Sequence, residues 1–341
     1  MRTCLRSSIV AVAAFVFSWT ASPVAAEDAP TMYKQLCATC HEAGLGRAPT
    51  RDVLQAMTPE RVLTAMENGP MLSMASGRTG VERRLIAEFV TGKRFTAPLS
   101  ATPSPQAMCR ATPGDFANPL NGPSWNGWGV HAQNTRYQDR AMAGLAAADV
   151  PTLKVKWAFG FPGELSADAQ PSMVGGRVFV GSQSGIVYAL SAATGCVHWT
   201  FQAEAAVRAA ITVARIDTKA GARFAAFIGD RAGNVYAVDG ASGALIWKTR
   251  VDDHAFARVT ASPTFHDGRL YVGVASGEET AGSTADYPCC SFRGSLVALD
   301  ASTGARIWKT YTITDEPKPI GKNKAGTQLL GPSGAPIWSS P

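Results

Sequence analysis

The residues best equipped for chemistry begin with Cys37-Ala38-Thr39-Cys40-His41. The C-x-x-C-H spacing puts two thiols on one helical turn, where they can add to the two vinyl groups of a haem while the next imidazole reaches the iron. A redox disulfide or half a zinc site would use the same C-x-x-C pair, but no second Cys/His pair lies nearby to complete a zinc tetrahedron. Covalent haem c is therefore expected, with His41 as one axial ligand. The other axial ligand has to come from a loop ahead of a helix. Asn68-Gly69-Pro70-Met71-Leu72-Ser73-Met74 offers two thioethers, Met71 and Met74, and such a sulfur raises the haem potential, as an electron acceptor requires.

Two further clusters lie near the C-terminal end. Ser276-Gly277-Glu278-Glu279 carries adjacent carboxylates, and Cys289-Cys290 adjacent thiols. Of seven cysteines, Cys4 belongs to a leader sequence, which leaves Cys109, Cys196, Cys289 and Cys290 beside the haem pair. In an oxidising compartment these can pair. Cys289 and Cys290 can close a strained eight-membered ring, with Cys109 then free for Cys196, or they can stay two buried thiols or bond Cys109 or Cys196.

The elements that position these residues are partly readable. Thr58-Pro59 starts a helix whose apolar positions Val62, Leu63 and Met66 end at Gly69. Thr79-Gly80-Val81-Glu82 is a capping box for a helix carrying Leu85, Ile86, Phe89 and Val90 inward and stopping at Gly92. A small all-α unit is thus expected over 27–95, followed over 96–120 by a linker whose first half, Thr96 to Pro105, is rich in Pro, Ser and Ala.

From 121 to 341 the chain repeats itself. Ala-x-[Asp/Ser]-x-x-[Thr/Ser]-Gly-x-x-x-Trp occurs at Ala189–Trp199, Ala237–Trp247 and Ala298–Trp308. Each copy follows an alternating strand such as Arg177–Gly181, Phe224–Gly229 or Arg269–Gly273, so one repeat reads as a four-stranded β-propeller blade. The Thr-Gly turn needs a positive φ, and the tryptophan four residues on packs between blades. Aligned on Pro171, Ile211, Pro263 and Pro341, the innermost strands are each preceded three residues earlier by Asp168, Arg208, Thr260 or Trp338. Polar or aromatic side chains repeated toward one end of an axial channel are costly unless they face water or a ligand.

The composition agrees with this plan. The 341 residues are 46% hydrophobic and 17% charged, with 33 Gly and eight Trp, which favours about two domains and short strands over a helical bundle. Residues 1–26 read as a secretory signal, with Arg2 and Arg6, an apolar run from Ile9 to Trp19, and Val24-Ala25-Ala26 before the cut. A periplasmic location follows, with no other segment apolar enough to span a membrane. Removing Arg2 and Arg6 lowers the net charge from +6 to +4, too small to suggest nucleic acid.

The repeat resembles the quinoprotein alcohol dehydrogenases, eight-bladed propellers that hold pyrroloquinoline quinone (PQQ) on the central axis. Trp125-Asn126-Gly127-Trp128-Gly129 resembles their opening, and Gly-x-Met ahead of a helix is similar to small cytochrome c domains, which favours Met71. The resemblance implies a Ca2+ ligand at Glu279, with Glu278 as the other candidate. It also implies quinone stacking on Trp338, a Cys289–Cys290 disulfide over the opposite face, and Arg208 and Thr260 beside the cofactor. The aspartate base and calcium-binding asparagine would lie beyond Pro341, so no catalytic base is assigned and Asp168 is not one.

The order signal, cytochrome, linker and propeller with a Cys-Cys pair most resembles the polyvinyl alcohol dehydrogenase (cytochrome) group. This implies an alcohol substrate, electron transfer to the chain's own haem, and a downstream carrier such as a soluble cytochrome. Eight blades at roughly 45–60 residues each need about 400 residues. About 220 follow the linker, so an incomplete, all-β propeller of about four blades is expected from an N-terminal fragment. From another class, similar repeats build outer-membrane-assembly scaffolds without quinone, which would make this chain a haem-bearing electron-transfer or scaffold module.

Overall fold

Local capping decides where the helices start. Asp28 accepts a hydrogen bond from Thr31 N–H at the head of α1 (Ala29–Leu36), and Thr58 accepts from Arg61 N–H at the head of α4 (Pro59–Asn68). Between them lie α2 (Ala38–His41) and α3 (Arg51–Ala56), and after them α5 (Leu72–Ala75) and α6 (Gly80–Thr91). The capping box at Thr79 is formed on both sides, and Gly92 closes α6 at φ 67°, a left-handed stop suited to glycine. The computed structural model describes residues 28–75, 78–95, 103–110, 116–131, 133–162, 164, 167–218 and 221–341, so the expected leader lies outside the described residues.

Met32, Leu54, Leu63, Met66, Ile86, Ala87 and Val90 form the core of the helical unit. One sequence expectation fails here: Leu85 is exposed. Arg83, paired with Glu67, takes the core-facing place one turn before Ile86 and Ala87, so the buried stripe runs 83, 86, 87, 90.

The remaining fold is antiparallel sheet. β1 (Ser172–Val174), β2 (Arg177–Gly181), β3 (Ile186–Ser191) and β4 (Val197–Gln202) form the first four-stranded sheet. β5 (Thr212–Thr218), β6 (Gly221–Gly229), β7 (Asn234–Asp239) and β8 (Leu245–Arg250) form the second. In the third, β10 (Thr264–His266), β11 (Arg269–Ser276), β12 (Ser295–Asp300) and β13 (Arg306–Tyr311) are joined by β9 (Ala257–Arg258), which pairs with the end of β11. A hairpin of β14 (Lys318–Lys322) and β15 (Gln328–Gly331) follows. Among the described residues, three sheets with a four-stranded meander are complete, the third carrying β9 as a fifth strand, against the expected four or so. Each has a register shift at the same point of the repeat, between Ala189/Leu190, Ala237/Val238 and Ala298/Leu299.

The sheets are joined by tryptophan. Trp199 Nε1 donates to Gly240 O at 3.0 Å and Trp247 Nε1 to Ala301 O at 2.9 Å, each at the Thr-Gly or Ser-Gly turn of the next sheet. The indole rings cover Gly243 and Gly304, where an added Cβ would come within 2.7 and 2.6 Å of the ring. Trp157 does the same to Ala192 O and Gly195, a joint the sequence reading missed although Lys156-Trp157-Ala158 precedes the first sheet. Trp199→Phe keeps a ring over Gly243 but removes the indole donor from the Gly240 carbonyl, leaving it only the Arg177 guanidinium at 3.1 Å. It should cost about 1 kcal/mol, read as a lower urea midpoint with an unchanged slope.

Toward the axis, Thr212 Oγ1 donates to Pro263 O at 2.6 Å and Thr264 Oγ1 to Pro341 O at 3.0 Å, linking successive innermost strands. Asn126 brackets Val213 with bonds to its N–H and C=O, so the Trp125–Gly129 segment caps these strand ends. Part of the expected linker also packs on the sheets. Cys109 is disulfide-bonded to Cys196 beside β4, and Phe116 is buried against Phe179 and Phe224 under the Arg177 guanidinium.

Candidate functional site

The helices enclose a cavity of about 620 Å³ lined by Cys37, Cys40, His41, Met71 and Met74 among largely apolar side chains. Cys37 and Cys40 are both free thiols. Burial pushes the Cys37 thiol up to about 11, so it stays protonated at neutral pH. His41 is buried, and its Nδ1 lies 2.7 Å from Pro49 O, which fixes the ring and leaves Nε2 toward the cavity. Met71 is half-buried and packed on the helical core, whereas Met74 is 49% exposed. Two thiols, one oriented imidazole and a thioether on the same cavity wall are what covalent haem needs, and the cavity is of a size to take one.

The second candidate site is on the sheets. Val207, Val259 and Ile337 pack on Gly181, Gly229 and Gly273 respectively, and their N–H groups donate to Ser182, Asp230 and Val274 carbonyls. The residues that follow them, Arg208, Thr260 and Trp338, therefore occupy equivalent places in successive repeats, as the alignment proposes. Arg208 is exposed, Trp338 is 45% exposed, and the Thr260 hydroxyl is buried without a hydrogen-bond partner, an orphan that suits a ligand contact. Asp168 instead accepts from the Gln183 amide.

Two arginines that sequence reasoning missed join this row. Arg231 N–H donates to Ala206 O at 2.9 Å, and the preceding Asp230 O accepts from Val259, so Arg231 is carried between the Arg208 and Arg258 segments. The buried Asp230 carboxylate holds this turn through Ala232 N–H, Asn234 N–H and the Tyr236 hydroxyl. Burial, then the like charges of Arg258 and Arg208, pushes the Arg231 guanidinium down to about 10, against an opposing pull from Asp168. Arg258 lies against Gly277, where an added Cβ would fall 2.1 Å from the guanidinium carbon, and Glu279 supports its charge. The signal was available: Gly229-Asp230-Arg231 repeats Gly181-Ser182-Gln183.

The two glutamates are placed differently. Glu278 is buried, and its carboxylate accepts from Tyr287 Oη (2.9 Å), Ser291 N–H (2.8 Å), Ser291 Oγ (3.2 Å) and Phe292 N–H (2.8 Å). Burial raises its pKa, but these bonds and His254 outweigh that and hold it below the usual carboxylate range. Glu279, next along the helical turn Glu278–Ala281, is exposed beside Arg258. Ca2+ takes six to eight oxygens. Among the described residues no three His, Cys, Asp or Glu side chains gather to hold a metal, so they do not compose a calcium shell by themselves. Cys289 and Cys290 are disulfide-bonded to each other through a cis peptide, with their sulfurs over Gly282, just past Glu279. Their backbone pairs with Leu330 of β15.

Repeated four-stranded sheets sealed by tryptophan on Thr-Gly or Ser-Gly turns define a propeller of the quinoprotein type. The family model PQQ_2, described as outer membrane protein assembly factor BamB, matches residues 141–320. The polyvinylalcohol dehydrogenase of a Pseudomonas sp is 41% identical over 328 residues, 92% of this chain and 50% of that protein. That of Sphingopyxis sp. (strain 113P3) is 40% identical over 331 residues, 92% of this chain and 49% of that protein. The quinohemoprotein alcohol dehydrogenase of Comamonas testosteroni is 25% identical over 249 residues, 67% of this chain and 32% of that protein. The chain belongs to this quinoprotein propeller family, with the polyvinyl alcohol dehydrogenases as its relatives. It spans about half the length of the two polyvinylalcohol dehydrogenases it matches.

Proposed function

We propose that this chain is the cytochrome-bearing part of a periplasmic quinohaemoprotein that oxidises an alcohol, polyvinyl alcohol by analogy with its relatives, and passes the electrons to its own haem c and then to a soluble carrier. The observation that carries the reading is the pairing, in one chain, of a haem-sized cavity holding Cys37, Cys40 and an oriented His41 with a quinoprotein-type propeller. When bound, PQQ supplies a two-electron acceptor and haem a one-electron acceptor.

The chain's own residues supply the positioning. Arg208, Arg231 and Arg258 offer guanidinium forks to the carboxylates of an anionic quinone. The Thr260 hydroxyl donates to it, Trp338 gives it a flat face, and the Cys289–Cys290 disulfide shields the approach from the Glu279 side. His41 Nε2 and Met71 Sδ are the groups that would hold the haem iron. Glu279 is the carboxylate this chain offers to any cation beside the quinone. Among those residues, no helix is long and apolar enough to cross a membrane.

The test is haem reduction in the purified haem-loaded chain on adding a secondary alcohol with PQQ and Ca2+. Reduction that needs all three supports the dehydrogenase reading. Failure to bind PQQ at all, by quenching of tryptophan fluorescence, would favour the scaffold module instead. Arg231→Gln should weaken PQQ binding about tenfold, through the loss of one charge-assisted contact. The same quenching titration reads it, and equal affinities would remove Arg231 from the site.

A further inference from the structure

The helical unit contains a buried ion pair that the haem chemistry does not use directly. Arg83 of α6 donates from Nε to Glu67 Oε1 of α4 at 3.0 Å, with the two side chains only 4% and 1% exposed. The same guanidinium reaches further. Its Nη1 donates to Ala75 O at 3.4 Å and to Arg78 O, at the end of α5 and in the loop that leads to α6. One side chain thus grips the chain on both sides of the methionine turn: Glu67 comes just before Gly69-Pro70-Met71, and Ala75 and Arg78 just after Met74.

The turn itself is tightly wound. Met71 N–H donates to Ala65 O at 2.9 Å, and Ala75 N–H donates to Met71 O at 3.0 Å. Gly69 passes so close to α4 that an added Cβ would lie 2.8 Å from Ala65 Cα. Met71 and Met74 both border the cavity, yet Met71 is packed on the core and Met74 stands half in solvent. A buried ion pair is weak as a source of stability but strong as a geometric constraint, because breaking it strands a charge. Lysine could not replace it, having no planar fork with which to bind a carboxylate and two carbonyls at once.

We propose that the Arg83–Glu67 pair is a positioning device that holds the methionine turn so that Met71, and not Met74, faces His41 across the haem. This rests on the haem reading above, and the experiment separates the two. In the haem-loaded full chain, the methionine-to-iron charge-transfer band of the ferric form and the midpoint potential are measured, with covalent haem quantified independently after denaturation. Met71→Ala should abolish the band and Met74→Ala should leave it.

Arg83→Lys and Glu67→Gln should keep covalent haem at the wild-type level. Both should reduce the band to about half or less, as a held turn becomes an equilibrium of held and released forms, and both should lower the potential. Should Arg83→Lys fail to fold, Glu67→Gln, which keeps the shape and an acceptor oxygen, decides alone. An unchanged band and potential in Glu67→Gln overturns the proposal, as does loss of the band in Met74→Ala rather than Met71→Ala. A wild-type chain that takes up no haem would sink the haem reading itself.

Discussion

Replacing Cys37 and Cys40 together with serine should leave no covalent haem on the chain. Extraction with acidified organic solvent, which strips non-covalent haem, should leave colour on the wild-type polypeptide and none on the variant. The expectation follows from the cavity. Both cysteines line it and are unpaired, and Cys40 N–H and His41 N–H both bond to Cys37 O, so the two sulfurs and the imidazole leave one turn together. Hydroxyls cannot form the thioether bonds, while the apolar walls around Leu54, Val62, Ile86 and Val90 stay intact. The variant should therefore fold and even bind haem loosely, which makes the loss of covalent attachment specific. Colour retained on the variant would place the attachment elsewhere, and a wild-type chain without it would assign the thiols to a redox pair instead.

Glu278→Ala should destabilise the propeller segment by about 3 kcal/mol or more, since several buried donors lose a charged acceptor at once. Tyr287 Oη, Ser291 N–H and Phe292 N–H converge on that carboxylate and close the insertion around the disulfide. Burial, with Glu278 beside it, already pushes the Tyr287 hydroxyl up to about 12. The effect is pH-dependent with a definite sign. The folded carboxyl lies below its ordinary 4.5, so its stabilisation is complete above that value and disappears as pH falls through the lowered folded value. Urea midpoints of wild type and Glu278→Ala should thus differ at pH 7 and converge in acid. Parallel curves at all pH values would show that the carboxylate does not clamp the insertion.

What the sequence revealed was mostly local. The C-x-x-C-H turn, the Thr79 capping box and the Thr-Gly or Ser-Gly turns with their tryptophans each occupy a dozen residues or fewer, and the structure forms the capping box and the turns as expected. The readings that failed or stayed open depend on distant partners. Helical periodicity placed Leu85 inside because nothing local shows that Arg83 finds Glu67 sixteen residues back. Glu278 and Glu279 are neighbours of one residue type, and only the fold sends Ser291 and Phe292 back to the first and leaves the second beside Arg258. The Cys109–Cys196 bond spans 87 residues, and Arg231 and Arg258 meet only when two repeats stack.

The tryptophan joints run in one direction. Trp199 and Trp247 each belong to one sheet and dock on a glycine of the next, so these three sheets are coupled head to tail, as in a one-dimensional array with nearest-neighbour terms. Damage then propagates asymmetrically. A change at Gly243 loosens the bond to the sheet before it, and one at Trp247 the bond to the sheet after it, although the two lie four residues apart on the same strand connection. The second sheet thus transmits mechanical load through two adjacent but separable contacts, and the Arg208, Arg231 and Arg258 row, drawn from successive sheets, inherits its alignment from both.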